Sequence, residues 1–389
     1  MTRGARPAPS PGFRTTCPSL SWRVAALLVA WLLAAPLAPA FAVDAPALDG
    51  LDPVRLVEGA EVEGDPLLTA THDGLTYRFA SDRTRRAFLA EPARFAVQLD
   101  GACARMGPGV EGAPDLFALH DGRLYLFGTE QCLEAFVAHP ERYLLPAPPA
   151  LDPSPAELKE ARELLAKAAS ALGERTLRRA GGYRVAGRLE RGSSVAPFEL
   201  WISFAGPVRR ERRAGSLSLV EAWDGEAAWA QGRQGVAPLA ATSREALQQE
   251  ALLLDALTVL RRVDVQKAIA VVETPAAPGP TRLVRLAGAD RGGGDEPVAL
   301  EVDRHSGRVA SLRFRGRGPG GFAGWITRRF DDFRPAGGLF LPFRRADHFE
   351  DQPEPFRVLV VESLEVVDRF DPRLFAIPDG AAPAVEAVR

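Results

Sequence analysis

The segment HDGLTYRF at residues 72–79 returns as HDGRLYLF at residues 120–127, and this repetition decides the fold of the N-terminal part of the chain. Residues 51–95 align without a gap on residues 99–143, and 19 of the 45 aligned pairs are identical. Two copies are too few for a solenoid, which needs about three or more units. We therefore predict a duplicated module that folds as one unit.

Each copy predicts the same small α+β unit. The Asp-Gly pair after the histidine is typical of a tight hairpin turn, and the alternating aromatic residues that follow are typical of a half-buried strand. Ser81 and Thr129 stand in the position of a helix N-cap, and Pro92 and Pro140 mark the end of each helix. The sequence therefore predicts two hairpins, each followed by a short helix.

The second copy contains the cysteines of this module. In the ungapped alignment Cys103 and Cys132 stand opposite Arg55 and Thr84. The copies resemble the YHS domain, a relative of the TRASH metal-binding module. The resemblance is carried by the Asp-Pro-Val at residues 52–54, the two Asp-Gly-x-x-Tyr-x-Phe strands and the two Phe-x-x-x-Pro-x-x-aromatic ends.

This resemblance implies that Cys103 and Cys132 occupy two cysteine positions of the family, whereas Gly128 stands where a further cysteine often occurs. In an oxidising compartment such a pair is more often a disulfide than a metal site. A soft transition metal as cofactor would need more than two ligands for a closed tetrahedral site. Redox chemistry is the third interpretation, because Cys132 is predicted near the third position of a helix capped by Thr129, where free backbone N–H groups stabilise a thiolate.

Residues 1–42 have the pattern of an export signal. A positively charged start precedes an apolar run at residues 24–35, and Ala40-Phe41-Ala42 fits the small-x-small cleavage rule. The apolar run is shorter than the ~20 residues that a membrane span needs. We therefore expect cleavage after Ala42, loss of Cys17 with the signal, a periplasmic location and no transmembrane span in the mature chain.

The composition is that of an ordinary globular protein, with 25% charged and 46% hydrophobic residues and a formal net charge of −2. Nothing in this balance attracts the whole protein to nucleic acid. The sequence contains no nucleophile elbow, His-x-x-x-His pair or phosphate loop. A binding function is therefore favoured over an enzyme, and nucleic acid is not an expected partner.

The sequence divides into five predicted segments. They are the signal at 1–42, the tandem module at 43–145, a Pro/Ala-rich linker at 146–153, a larger domain at 154–380 and a tail at 381–389. The larger domain opens with a capping box at residues 154–157, which predicts a helix that Gly173 ends. After it the hydrophobic pattern has a period of two, as in a long antiparallel meander. A second capping box at residues 242–245 predicts one interrupting helix.

The apolar segment at residues 251–260 is hydrophobic on nearly all sides, so a helix there must be covered on most sides. A curved sheet with helices in its concavity would satisfy both this segment and the strands that share an apolar face. The predicted fold class is therefore α+β: a small duplicated module followed by an antiparallel β half-barrel with helices in its concavity.

The larger domain resembles the periplasmic lipoprotein-carrier superfamily, the LolA/LppX-like half-barrels, in its motifs at residues 222–229, 337–343 and 362–378. The resemblance implies that a lipid, a lipoprotein or another apolar ligand is held between sheet and helices. The residues expected to line this site are Phe198, Leu200, Ile202, Phe204, Leu253 and Leu257. The leading hypothesis is a periplasmic binding or carrier protein. The alternative is a metal-binding or thiol-redox protein that works through Cys103 and Cys132, with the half-barrel as scaffold.

Overall fold

The computed structural model describes most of the chain between Pro46 and Pro378. The described residues are 46–107, 109–144, 150–214, 217–233, 235–239, 241–262, 269–273, 279–287 and 298–378. They belong to one compact unit. The predicted export signal, part of the predicted linker and the predicted tail lie outside the described residues.

Both copies of the repeat form the predicted hairpin and helix. The first copy comprises α1 (Pro53–Val57), β1 (Asp65–His72), β2 (Leu75–Phe79), α2 (Asp82–Ala90) and α3 (Pro92–Phe95). The second copy comprises β3 (Ala113–His120), β4 (Arg123–Phe127) and α4 (Glu130–Ala138). In the first hairpin Asp73 and Gly74 have φ angles of 49° and 78°, as a type I′ turn requires. The Asp-Gly pairs therefore determine both turns.

One phenylalanine on the helix of each copy packs against the aromatic residues of its hairpin. The ring of Phe88 in α2 lies 4.7 Å from that of Tyr77 and 5.2 Å from that of Phe79. The ring of Phe136 in α4 lies 4.9 Å from that of Phe127. Burying a side chain of this size stabilises the fold by about 1.5–3 kcal/mol. This aromatic cluster is the core that the repeated sequence encodes.

One long antiparallel sheet makes up the rest of the fold. Helix α5 (Pro155–Arg179) precedes it, and helices α6 (Ala241–Leu252) and α7 (Ala256–Arg262) interrupt it. Its described strands are β5 (Gly182–Arg191), β6 (Ser194–Ser203), β7 (Val208–Ala214), β8 (Leu217–Trp223), β9 (Ala228–Gly232), β10 (Gly235–Pro238), β11 (Ile269–Glu273), β12 (Thr281–Ala287), β13 (Val298–Asp303), β14 (Val309–Arg317), β15 (Ala323–Ala336), β16 (Leu339–Phe349) and β17 (Arg357–Val367). They lie in the order β10-β9-β8-β7-β6-β5-β17-β16-β15-β14-β13-β12-β11. The first and last strands of the domain therefore pair with each other inside the sheet.

The helices cover one face of this sheet and share a single hydrophobic core with it. Leu165 of α5, Leu257 of α7, Leu200 of β6 and Leu312 of β14 are all buried in the same cluster. These strands come from both halves of the sheet, so the core runs across it. The structure confirms the predicted fold class, an α+β chain whose antiparallel half-barrel carries helices on one face.

Helix α5 begins where the sequence predicts and ends later. Ser154 Oγ accepts a hydrogen bond from Glu157 N at 3.3 Å, and Glu157 Oε2 accepts one from Ser154 N at 2.9 Å, which completes the capping box. Gly173 does not end the helix as predicted; its φ of 109° introduces a kink, and the helix continues to Arg179. A Cβ at Gly173 would lie 2.6 Å from the carbonyl oxygen of Gly338. The glycine therefore allows the β15–β16 turn to approach closely.

The apolar segment at residues 251–260 is buried throughout, as predicted, but it is not one helix. Helix α7 begins directly after Asp255, whose Oδ1 accepts a hydrogen bond from Thr258 N at 3.2 Å. The second predicted capping box is wrong, since Thr242 lies inside α6. The hydrophobic pattern did not predict the break between α6 and α7, because the run of apolar residues continues through it. The start of α7 depends instead on the buried carboxylate of Asp255.

Candidate functional site

The backbone around Cys103 matches the first copy in a different register from the ungapped alignment. Asp52 N donates a hydrogen bond to Val62 O at 2.9 Å, and Cys103 N donates one to Val110 O at 2.8 Å. Cys103 is therefore the structural counterpart of Asp52. The prediction that it stands in the place of Arg55 is wrong.

The register changes because the second copy is three residues shorter in this loop. The offset between copies is 51 at Asp52 (103 − 52) and 48 at Val62 (110 − 62). Helix α1 has no counterpart in the second copy, where a tight turn takes its place. The Leu-Asp-Gly at residues 48–50 and its repeat at residues 99–101 have the same left-handed backbone. That short motif is the signal from which the correct register could have been predicted.

In the first copy, the position of Cys103 is occupied by Asp52, which has a structural role. Its carboxylate is fully buried, and Oδ1 accepts hydrogen bonds from Val54 N at 2.9 Å and Arg55 N at 3.2 Å. Oδ2 accepts one from Ala80 N at 2.8 Å, which ties α1 to the end of β2. In the second copy Cys103 replaces this structural carboxylate. A thiol is a weak acceptor, so this position has a different role there.

Helix α4 positions the second cysteine next to the first. Cys132 is the third residue of α4, and its backbone N donates to Thr129 Oγ1 at 3.3 Å. Both cysteines are buried free thiols, with Cys132 6% exposed and Cys103 fully buried. Both side chains pack in one small core cluster with Phe127, Phe136 and Tyr143. The fold therefore brings the two predicted site cysteines into the same buried cluster.

A positive charge faces the Cys132 sulfur. Arg105 Nη1 lies 4.0 Å from Cys132 Sγ and also donates a hydrogen bond to Gln131 O at 3.4 Å. Burial by itself would raise the pKa of Cys132, but hydrogen bonds from Thr129, Cys103 and Arg105 and the charge of Arg105 lower it overall. The arrangement therefore favours the thiolate of Cys132.

A second guanidinium reaches this pair from the half-barrel. Arg317 at the end of β14 donates hydrogen bonds to the carbonyl oxygens of Tyr143 and Gly321. A Cβ at Gly107 would lie 2.7 Å from Arg317 Cγ, so the turn after Cys103 packs directly on this side chain. Burial lowers the pKa of Arg317 to about 10. The thiol pair thus lies where the repeat module meets the sheet.

The residues around the two sulfurs do not fit a closed metal site. In the described part of the chain, no three His, Cys, Asp or Glu side chains are grouped to hold a metal ion. A Cβ at Gly128 would lie 3.9 Å from Cys103 Cβ, but the glycine offers no ligand there. The guanidinium of Arg105 would also repel a cation. A tetrahedral site needs four ligands, or three and an open position, and the sulfurs supply two.

A carboxyl pair joins α6 to the second copy and makes this contact sensitive to pH. Burial raises the pKa of Glu245 to about 7, helped by a hydrogen bond with Asp100 and by the charges of Asp100 and Asp73. This folded-state pKa of Glu245 lies above the usual value of 4.5, so the folded protein favours the protonated carboxyl. The contribution of Glu245 to the stability of the fold is therefore complete below about pH 4.5 and is lost as the pH rises through 7.

We therefore expect the free energy of unfolding to fall by about 1 kcal/mol between pH 5 and pH 8 on account of Glu245, a figure reduced for its partial exposure. Urea titrations at both pH values measure it. Glu245→Gln should remove this part of the pH dependence, whereas Glu226→Gln, at an exposed position, should leave it unchanged. An unaltered pH dependence in Glu245→Gln would contradict the assignment.

The six residues predicted to line a ligand site face the helices across the shared core. Phe198, Leu200 and Ile202 of β6 and Leu253 and Leu257 beside them are buried in that core. Phe204 lies just beyond β6, half-buried against it. Of these six residues, only Leu257 borders the apolar cavity described next. The role of these residues in ligand binding stays a prediction.

An apolar cavity of about 160 Å³ lies between α5, α7 and strands β14 to β16. Its walls are side chains from both helices and from the strands on the far side of β17 from β6. The residues that line it include Ala171, Leu172, Leu257, Phe330, Phe333 and Phe340. Phe340 is 36% exposed, which is unusual for so large an apolar side chain and marks the mouth of the cavity.

Basic side chains stand at this mouth. The guanidinium of Arg308 lies over the rings of Phe333 at 5.0 Å and Phe340 at 5.5 Å. Lys167 of α5 donates a hydrogen bond to the carbonyl oxygen of Arg304, in the turn before β14. The carboxylate of Asp303 accepts hydrogen bonds from Ser306 N at 2.7 Å and Ser306 Oγ at 2.8 Å within the same turn. An apolar cavity with a cationic rim is the result.

Buried ion pairs, which the sequence pattern did not reveal, occupy another part of the helix-covered face. Asp347 of β16 accepts hydrogen bonds from Arg328 Nε at 2.6 Å and Arg357 Nε at 2.6 Å. Arg345 Nη2, also on β16, donates to Asp255 Oδ2 at 2.8 Å. Arg345 and Asp347 have the same parity along β16 as Leu341, Phe343 and Phe349, which face the core, and this shared parity was the available signal.

Comparisons with known proteins give only distant likenesses. No protein-family model matches the chain, and no curated protein does. A DUF1329 family protein from Desulfovibrio piger is 9% identical, with a TM-score of 0.38 over 57% of this chain and 97% of that protein. A LolA superfamily protein from Nitrosomonas europaea is 14% identical, with a TM-score of 0.38 over 56% of this chain and 97% of that protein. No helix within the described ranges is long and apolar enough to cross a membrane.

Proposed function

We propose that this protein is an exported, periplasmic binding protein whose half-barrel holds one acyl chain of a lipid or lipoprotein by its end. The observation that carries the proposal is the apolar cavity between α5, α7 and the strands β14 to β16, with Arg308 at its mouth. The sequence pattern of residues 1–42, which predicts an export signal, supports the periplasmic location.

The size of the cavity limits what enters it. A cavity of about 160 Å³ compares with engineered apolar cavities of ~150 Å³ that bind benzene, and it is below the ~300–1,000 Å³ of sites for drug-sized ligands. It therefore accommodates the last few carbons of one chain, while the remainder of the ligand lies along the surface near Phe340.

The rim favours an anionic head group. Arg308 is the one charged residue among those that line the cavity, and the carboxylate of Asp303 is engaged in its own turn. A wider groove of about 680 Å³ lies beside Ser203, at the end of β6, and is lined by the carboxylates of Asp224, Glu226 and Asp368 and by Arg369 and Arg373. Because the charges of that groove are mixed, an anionic head group is favoured more by the smaller cavity, and we place the ligand there.

A cavity-filling substitution tests the site. Ala171→Phe should weaken binding of palmitate by about tenfold or more, because the new ring occupies the space of the chain end. Ser170→Phe, the matched control on the exposed side of α5, should bind as the unmodified protein does. Native mass spectrometry and fluorescence titration of the full chain, purified without detergent, measure both.

Changing the rim separates chain recognition from head-group recognition. Arg308→Gln should weaken palmitate binding about two- to fivefold, the size of an exposed ion pair, and leave hexadecanol binding unchanged. If the unmodified protein binds neither compound, or if Ala171→Phe binds palmitate as before, the proposed function is wrong.

A further inference from the structure

We propose that Cys103 and Cys132 are a redox-active pair that reduces a hydroperoxide and closes to an intramolecular disulfide. Both thiols are buried in one small core cluster, and Cys132, in the first turn of α4, has the guanidinium of Arg105 at 4.0 Å from its sulfur. The first copy has a buried carboxylate and a threonine, Asp52 and Thr84, at the corresponding positions. The chemistry therefore belongs to the second copy alone and is independent of the acyl-chain cavity.

The arrangement assigns different roles to the two sulfurs. Cys132 retains 6% exposure and carries the hydrogen bonds that favour a thiolate, so it is the sulfur that a small oxidant meets first. Cys103 is fully buried beneath it and is the resolving thiol. Because both thiols belong to one buried cluster, oxidation closes the sulfurs to the ~2.05 Å of a disulfide within the same folded chain.

The reaction proceeds in two steps. The Cys132 thiolate attacks one oxygen of the hydroperoxide ROOH, the O–O bond breaks, and the alkoxide takes a proton from water and leaves as ROH. The product is a sulfenic acid at Cys132. The Cys103 sulfur then attacks the Cys132 sulfur, the S–S bond forms, the S–O bond breaks, and the thiol proton leaves with the hydroxide as water. Two electrons pass from the sulfurs to the peroxide.

Arg105 acts as a positioning residue in the first step. Its guanidinium, held by Gln131 O, stabilises the Cys132 thiolate without bonding to the peroxide. Its loss should therefore reduce the fraction of thiolate at neutral pH, while the reactivity of the thiolate itself stays the same. A merely structural arginine would not produce that pattern.

The test uses the full chain carrying Cys17→Ser, so that only the pair is titrated. Reduced protein treated with hydrogen peroxide should lose two hydrogen atoms in mass and both free thiols, and it should remain monomeric. In Cys103→Ser the reaction should stop at a sulfenic acid that dimedone traps on Cys132. Cys132→Ser should give neither product.

A pH profile distinguishes the role of Arg105. Arg105→Gln should slow oxidation about three- to tenfold at pH 7 and converge with the parent protein at high pH, as expected when only the pKa of Cys132 changes. Arg123→Gln, at an exposed position on β4, should show the parent profile. Oxidation of Cys132 no faster than that of an ordinary free thiol, trapping of the sulfenic acid on Cys103, or intermolecular dimers as the product would overturn the proposal.

Discussion

Replacing Asp347 by asparagine is expected to lower the free energy of unfolding by about 3–5 kcal/mol. Asp347 is 2% exposed, and its oxygens accept hydrogen bonds from Arg328 at 2.6 Å and 2.9 Å and from Arg357 at 2.6 Å. The substitution keeps the shape of the side chain but leaves the buried guanidinium of Arg328 without a counter-charge. Urea unfolding followed by circular dichroism at pH 7 measures the loss.

The same strand pair supplies the matched control. Asp331 pairs with Arg344 across β15 and β16 at 3.0 Å, but the Asp331 side chain is 61% exposed. Asp331→Asn should therefore change stability by no more than about 0.5 kcal/mol. The double variant Arg328→Met/Asp347→Leu should recover part of the loss, since it removes the buried pair and leaves only the partly exposed Arg357 without its carboxylate partner. Equal losses in Asp347→Asn and Asp331→Asn would show that burial of the pair is unimportant.

The Asp347 pair also predicts how acid affects stability. Burial alone would raise the pKa of Asp347, but Arg328 and Arg357 lower it to about 2. The folded-state pKa is below the usual 3.8, so the stabilisation is present above about pH 4 and is lost as the pH falls through 2. Asp347→Asn should be less sensitive than the parent protein over this interval.

The second large effect is expected at Asp52. Asp52→Ala should cost about 3 kcal/mol, because it removes the helix cap of α1 and leaves the buried N–H of Val54 and the part-buried N–H of Ala80 without this acceptor. The counterpart Cys103→Ala should cost only about 1 kcal/mol, since a weakly bonding thiol is replaced by a small apolar group. The comparison tests the corrected register of the two copies.

Thermal and urea unfolding of both variants give the two values under one set of conditions. Arg55→Ala is the control, because the ungapped alignment makes Arg55 the counterpart of Cys103. Arg55 forms an exposed ion pair with Glu58, so its loss should cost less than about 1 kcal/mol. If Arg55→Ala were as damaging as Asp52→Ala, the register derived from the backbone hydrogen bonds would have to be abandoned.

Local patterns in the sequence determined the repeat and most elements of the sheet. The Asp-Gly pairs give the hairpin turns, Ser81 and Thr129 cap the helices, and Ser154 with Glu157 starts α5. These features depend on contacts between residues a few positions apart, so the information for them is complete within a short segment. The alternation of apolar residues along β6 likewise gave its buried face.

The features that the sequence did not determine all depend on distant partners. The break before α7 exists because Asp255 finds Arg345 ninety positions away, and the kink at Gly173 because a turn of the sheet lies against it. An aspartate inside an apolar run and a glycine after a helical pattern are both ambiguous until those partners are known.

The candidate sites divide in the same way. The sequence identified Cys103 and Cys132 as a pair, but only the fold put both side chains in one buried cluster and added Arg105 and Arg317. The sequence also predicted that Phe198 and its neighbours on β6 face inward. Whether such a face encloses a cavity depends on how side chains from several elements fill the space between them. The hydrophobic period determines to which face the side chains point, whereas packing determines how much space remains between them. That is why the cavity at Leu257 was decided by the tertiary structure alone.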